Sequence, residues 1–193
     1  TQKEAKMKLH QALDDYRDVE LTEDSRITLK EWLEQWMNDY MSVSIRESTL
    51  KGYQAYIKNY IVPHLGDKRI DKLTTHEIQQ FYVMLQEEGR LKEDEIKGFQ
   101  LSAATVRRIH GVLRQAMQAA ADLRMIPRNP VDGVKLPKID NDVMKVLNEE
   151  ELRIFKEAIK DEPEWYDFFY TEITTGLRKG EICGLMWADF DAK

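Results

Sequence analysis

The 193-residue chain allows one large domain or two small ones, with 42% apolar residues to build a core and 33% charged residues to clothe long helices. A single cysteine, Cys183, excludes an internal disulfide and fits a reducing, cytoplasmic setting. No run of about 18 apolar residues is present, so no membrane-spanning helix is expected. There is no signal-peptide pattern, and a start on Thr1 rather than Met fits a trimmed chain. The net charge of −6 argues against a polyanionic partner only as a total. Residues 98–138 hold seven basic and two acidic side chains, whereas residues 140–193 hold seven basic and fourteen acidic ones. The asymmetry carries the information.

In chain order, residues 4–18 read as a helix with Ala5, Leu9, Ala12 and Tyr16 at helical spacing, followed by a polar linker over 21–26. Leu29, Trp32, Leu33, Trp36, Met37, Tyr40 and Met41 then form a strong apolar stripe, and the two tryptophans read as core rather than as a base-stacking platform. Ser48 is expected to cap a second helix with Leu50, Tyr53, Ile57 and Ile61 inward and its end set by Pro63. Lys51 and Lys58, interleaved with Tyr56 and Tyr60, lie off that stripe and fit either a backbone-contacting surface or solvated lysines.

A loop over 63–70 leads to Thr74-Thr75-His76-Glu77, the signature of a capping box, which opens a third helix with Ile78, Phe81, Tyr82 and Leu85 inward and Gly89 at its end. Residues 90–101 are charged and aperiodic, and the expectation is a mobile loop. Ser102 caps a long fourth helix to about 122, with Val106, Ile109, Leu113, Ala116 and Ala120 buried. Arg107, Arg108, Arg114 and Gln118 stand off this stripe. Arg107, Arg114 and Gln118 share a face by their spacing of seven and four, a pattern that suits a major groove or, equally, an ordinary solvated surface.

Residues 123–146 are rich in Pro and Lys, include Arg128, Lys135, Lys138 and Lys145, and read as an extended basic interdomain tether. Asn148-Glu149-Glu150-Glu151 caps the next helix, with Leu152, Phe155 and Ile159 inward, and Pro163 separates it from a helix bearing Phe168, Phe169 and Ile173. That helix runs into Thr175-Gly176, where the glycine can take the left-handed conformation that ends a helix. A second short helix is expected after it, with Ile182, Leu185 and Met186 on one side. Arg178 and Glu181 lie three apart, so the carboxylate can brace the guanidinium beside a helix N-terminus, an arrangement suited to a phosphate; a surface ion pair fits the same spacing. Cys183, inside Ile182-Cys183-Gly184-Leu185, reads as a small buried hydrophobe. His10, His64, His76 and His110 have no partner at ligand spacing, so neither a metal site nor a cofactor is expected.

The string Thr175-Gly176-x-Arg178-x-x-Glu181-x-x-x-Leu185-x-Trp187-x-Asp189-Phe190-Asp191 resembles the first catalytic-arginine motif of the tyrosine recombinases, the phage-integrase family. The Trp-rich first helix, Ser48, Leu50 and Tyr53, and the Asn129-Pro130 after the fourth helix are similar to that family's core-binding domain. The resemblance covers about residues 25–193. It implies a mainly α fold: a four-helix SAM-like core-binding domain over 25–122, a linker over 123–146, and a truncated piece of the α+β catalytic domain over 147–193. Residues 1–24 are similar to the closing helix of an arm-site DNA-binding domain in longer integrases.

Function follows from the same resemblance. It implies integration or excision of mobile DNA through a 3′-phosphotyrosyl link, by an enzyme that self-associates as a tetramer on double-stranded DNA at a core recombination site. Arg178 is then catalytic and Glu181 its brace, while Arg107, Arg108, Arg114, Gln118, Lys51, Lys58, Arg128, Lys135 and Lys138 face DNA. The family's nucleophilic tyrosine, second arginine, lysine and His or Trp pair lie beyond the motif, so this chain is expected to bind DNA and cut nothing. A helical DNA-binding regulator and a helical protein-interaction module remain as alternatives.

Overall fold

Thr28 and Glu31 start the first helix by a reciprocal cap: the Thr28 N–H donates to the Glu31 carboxylate at 2.8 Å and the Glu31 N–H to the Thr28 hydroxyl at 3.2 Å. The computed structural model describes Lys6 and residues 26–95, 98–139 and 146–189. Apart from Lys6 and Arg26, the helix over 4–18 and the linker over 21–26 fall outside these residues, as do Lys145, Phe190 and Asp191. The chain divides into two units, Thr1–Asp140 and Asn141–Lys193. Among the described residues no helix is long and apolar enough to cross a membrane.

In the first unit, α1 (Leu29–Trp36) continues without a break into a π-helical turn (Met37–Met41) and Ser42–Ser44. Leu29, Trp32, Leu33, Trp36 and Met37 are buried, with Trp32 and Trp36 only 2% and 1% exposed, so both tryptophans are core. The Trp32 indole N–H donates to the Ala116 carbonyl at 2.9 Å, which satisfies the polar edge that a buried tryptophan carries. The wide turn rotates the stripe. Tyr40, expected inside, is exposed, because the Ser42 N–H reaches back five residues to Met37 instead of four.

The second helix, α2 (Glu47–Tyr56), begins after Arg46 rather than at Ser48, and Pro63 does not end it. A π-helical turn (Ile57–Ile61) leads into Val62–Leu65, with Pro63 inside the helical run. Proline is costly in a regular helix because it lacks the N–H and clashes with the carbonyl four residues back; the widened turn moves that carbonyl aside. Arg69 then forms an antiparallel bridge with Thr28.

Helix α3 (Thr75–Glu88) opens on the expected box, with the Thr74 N–H donating to Glu77 at 2.9 Å, and buries Ile78, Phe81, Tyr82 and Leu85. Lys68 also donates to Glu77. That hydrogen bond, with those from Thr74, lowers the Glu77 pKa from 4.5 to about 2. A carboxylate whose folded pKa is depressed contributes stability that is complete above the unfolded value and lost as pH falls. The stability gap between the unmutated chain and Glu77→Gln is therefore expected to shrink between pH 4.5 and about 2 in urea titrations. A gap independent of pH would dismiss the Lys68–Glu77 contribution.

The described residues of the charged stretch, 90–95 and 98–101, are tied together by backbone hydrogen bonds. Asp94 and Gly98 exchange backbone hydrogen bonds of 2.9 and 2.8 Å, and the Arg90 N–H reaches the Phe99 carbonyl at 2.7 Å. Helix α4 (Ala103–Asp122), capped by Ser102, buries the five expected residues together with Val112 and Met117. It ends with Arg124 left-handed at φ 60°, and the Met125 N–H bonds back to the Ala120 carbonyl at 2.9 Å. That turn folds the chain back onto the helices, which corrects the extended-tether reading. Met125, Ile126 and Val131 belong to the core and Val134 and Leu136 pack against it, so residues 123–136 are part of the first unit.

The second unit is thinly packed. Its helices are α5 (Glu149–Ala158), α6 (Pro163–Thr175) and the single turn α7 (Lys179–Ile182), with 3-10 turns at Ile159–Asp161 and Trp187–Asp189. The Asn148 box forms as expected. Phe155 meets Phe169 edge-on at 5.8 Å, yet Ile159 alone of the unit's described apolar residues is fully buried. Cys183, expected inside, is exposed. The expected apolar side of the last helix is missing too, since Leu185 and Met186 lie beyond α7 and are exposed.

Candidate nucleic-acid interface

Gly176 closes α6 in the left-handed region at φ 70°, and its N–H bonds to the Glu172 carbonyl at 2.9 Å. A Cβ at Gly176 would meet nothing within 4 Å, so conformation rather than space requires glycine. The chain then turns so that Arg178 is the N-cap of α7. The Glu181 carboxylate accepts the Arg178 backbone N–H at 2.7 Å and a guanidinium N–H at 3.4 Å. Glu181 thus holds the turn more firmly than it holds the fork. With its side chain 87% exposed, Arg178 keeps most of its five donors available to an anion.

In the first unit the expected DNA-facing residues fall into separate groups. On α4, Arg107 Nε donates to the Pro137 carbonyl at 2.8 Å and Arg114 Nε to the Asp132 carboxylate at 2.7 Å. Gln118 donates to Asp122 at 2.8 Å and accepts from Asn129 Nδ2 at 3.2 Å. Arg108 is exposed and makes no side-chain hydrogen bond or ion pair among the described residues. Its neighbour one turn pair along, Gln115, meets the Tyr53 hydroxyl of α2 at 3.2 Å.

Lys58 lies elsewhere, in a groove between α1 and α2 with Lys30, Glu34 and Asn38, and Lys51 pairs with Glu47 at 2.7 Å. Arg128 borders a cleft with Lys72 before α3. Lys135 and Lys138 are exposed, the former held through its backbone by the Gln79 side-chain amide at 2.7 and 3.1 Å. Burial, followed by the nearby Arg114, lowers the His110 pKa, so this imidazole adds no cation to the α4 surface at neutral pH. Gln79 and Asp132 are missing from the sequence reading, because their partners lie 56 and 18 residues away.

Residues 28–85, from the start of α1 into the last turn of α3, match the family model "Phage integrase, N-terminal SAM-like domain". The chain is 32% identical over 140 residues to the ICEBs1 integrase of Bacillus subtilis, covering 72% of this chain and 35% of that protein. It is 26% identical over 199 residues to a "Tyrosine recombinase XerC-like" protein of Caldanaerobacter subterraneus, covering 99% of this chain and 48% of the relative. Among solved structures, a lambda integrase tetramer bound to a Holliday junction aligns with a TM-score of 0.69 at 25% identity, over 88% of this chain and 46% of that one. The chain spans less than half the length of these relatives. The helical unit with its built turn after α4, the Arg178 motif and these likenesses together place the chain in the tyrosine recombinase (phage integrase) family.

Proposed function

We propose that this chain is the DNA-binding portion of a site-specific tyrosine recombinase that integrates or excises mobile DNA through a 3′-phosphotyrosyl intermediate. The observation that carries the reading is the exposed Arg178 guanidinium, set on a capped turn inside the Thr175-to-Asp189 motif. Arg178 stabilises charge on the scissile phosphate, and Glu181 fixes the turn that presents it. The first unit grips double-stranded DNA at the core recombination site, using lysines and arginines from the basic stretch over 98–138. By likeness to the lambda integrase tetramer, the whole protein assembles as a tetramer on its DNA. It works without a cofactor, in a cytoplasmic setting.

The domains of this reading are a core-binding unit that begins at about residue 25 and includes the folded-back segment over 123–136, and residues 147–193 for the start of the catalytic domain. The family's tyrosine, second arginine, lysine and His or Trp pair have no matched counterpart here, so the chain alone binds DNA and cuts nothing. Duplex affinity of the chain is expected to fall with salt with a log–log slope equal to several released counterions, about 0.9 per phosphate contact. No binding at any salt would replace the recombinase reading with a protein-interaction module. Strand cleavage by the whole protein separates a recombinase from a DNA-binding regulator.

A further inference from the structure

We propose that Arg107, Arg114 and Gln118 are not duplex contacts but the anchors of a strap, residues 129–138, and that the duplex instead lies on the neighbouring strip of α4 that carries Arg108 and Gln115. The inference deepens the DNA-binding reading and rests on it. Three residues that share one face by helical periodicity are all occupied from the same side: Arg107 by the Pro137 carbonyl at 2.8 Å, Arg114 by Asp132 at 2.7 Å, and Gln118 by Asn129 at 3.2 Å. Asn129 is 8% exposed, and it also donates to the Arg114 carbonyl at 3.1 Å and accepts the Val131 N–H at 3.0 Å.

The far margin of the strap is tied as well. Thr75 donates to the Pro130 carbonyl at 2.8 Å, and the Gln79 amide pairs with the Lys135 backbone at 2.7 and 3.1 Å. Val131, between the two margins, is 0% exposed. A phosphate reaching for Arg114 must therefore displace Asp132 from a strap whose apolar residue sits in the core, and it meets a carboxylate on arrival. Both effects oppose it.

About a quarter-turn or more further round the helix, the situation reverses. Arg108 is exposed and unengaged among the described residues, and Gln115 sits at the α2 boundary against Tyr53. Gly111 lies between them in sequence, and a Cβ there would meet nothing within 4 Å, so the helix surface at that point is bare. A free guanidinium two turns along the same strip from a neutral donor-acceptor amide suits a polyanionic backbone, whose phosphates recur along its length.

Salt-dependent duplex affinity and amide exchange of the chain test this together. Arg108→Ala is expected to lower the log–log slope by about one. Arg114→Ala should leave the slope unchanged while speeding exchange at Val131, Val134 and Lys135 by roughly fivefold, as loss of a half-exposed ion pair implies. The charge-swapped double variant, Arg114→Asp with Asp132→Arg, should restore slow exchange. The proposal is overturned if Arg114→Ala lowers the slope by about one and Arg108→Ala does not, or if the swap leaves the strap as loose as the single change. Absence of salt-dependent binding by the unmutated chain defeats the DNA reading itself and the Arg108 surface with it, whereas the exchange rates still decide whether the strap is locked.

Discussion

Replacing Arg178 by alanine in the whole protein is expected, on the proposed recombinase reading, to slow cleavage of a suicide substrate by roughly two to three orders of magnitude, about 3–4 kcal/mol of lost charge stabilisation. The side chain is 87% exposed and among the described residues makes a weak contact with Glu181 at 3.4 Å, so truncating it removes almost nothing from folding. What it removes is a planar fork at the point where Gly176 turns the chain. Arg178→Lys keeps the charge and loses the fork, and its rate should fall between those of the two others. Glu181→Gln retains an acceptor for the Arg178 N–H and should act mildly. Duplex affinity should barely change in Arg178→Ala if, as proposed, the grip belongs to the first unit. Cleavage at the unmutated rate in Arg178→Ala would end the assignment.

The second large effect is on stability. Trp32→Ala is expected to cost about 3–5 kcal/mol in urea unfolding followed by circular dichroism, enough to bring the first unit close to unfolding at room temperature. Trp32 is 2% exposed and joins α1 to α4 twice over, by its ring in the core and by its N–H on the Ala116 carbonyl at 2.9 Å. Trp32→Phe keeps much of the ring and loses the hydrogen bond, so its cost should be smaller, about 1–2 kcal/mol. A Trp32→Ala chain within about 1 kcal/mol of the original would return the tryptophan to the surface and reopen the stacking-platform reading.

Much of this architecture is legible without coordinates where a helix reports its own environment. Ile78, Phe81, Tyr82 and Leu85 are buried as their spacing demands, and the Thr74 and Asn148 boxes cap the helices they announce. The rule weakens where the period changes. The π-helical turns after Trp36 and Tyr56 add residues to the repeat, which turns Tyr40 outward and lets Pro63 sit within a helix. It fails in the aperiodic stretch over 123–136, whose Met125, Ile126 and Val131 are core without any repeating pattern to say so. In the second unit Cys183 has the neighbours of a buried residue in sequence but is exposed, because burial needs a covering element and not only apolar neighbours.

From its amino acids alone, this protein determines where its capped helices start, which of their faces are apolar while the period holds, and that an arginine stands at a glycine turn in a motif resembling that of the recombinases. Those are local properties, set by residues within one or two turns of each other. Which basic residues remain free is decided only by the tertiary fold. Arg107, Arg114 and Arg108 look alike as sequence, yet a strap whose Asp132 and Pro137 arrive from 18 and 30 residues away engages the first two and leaves the third exposed. Hydrogen bonds between distant segments depend on how the core positions those segments, and no spacing rule along the chain encodes that.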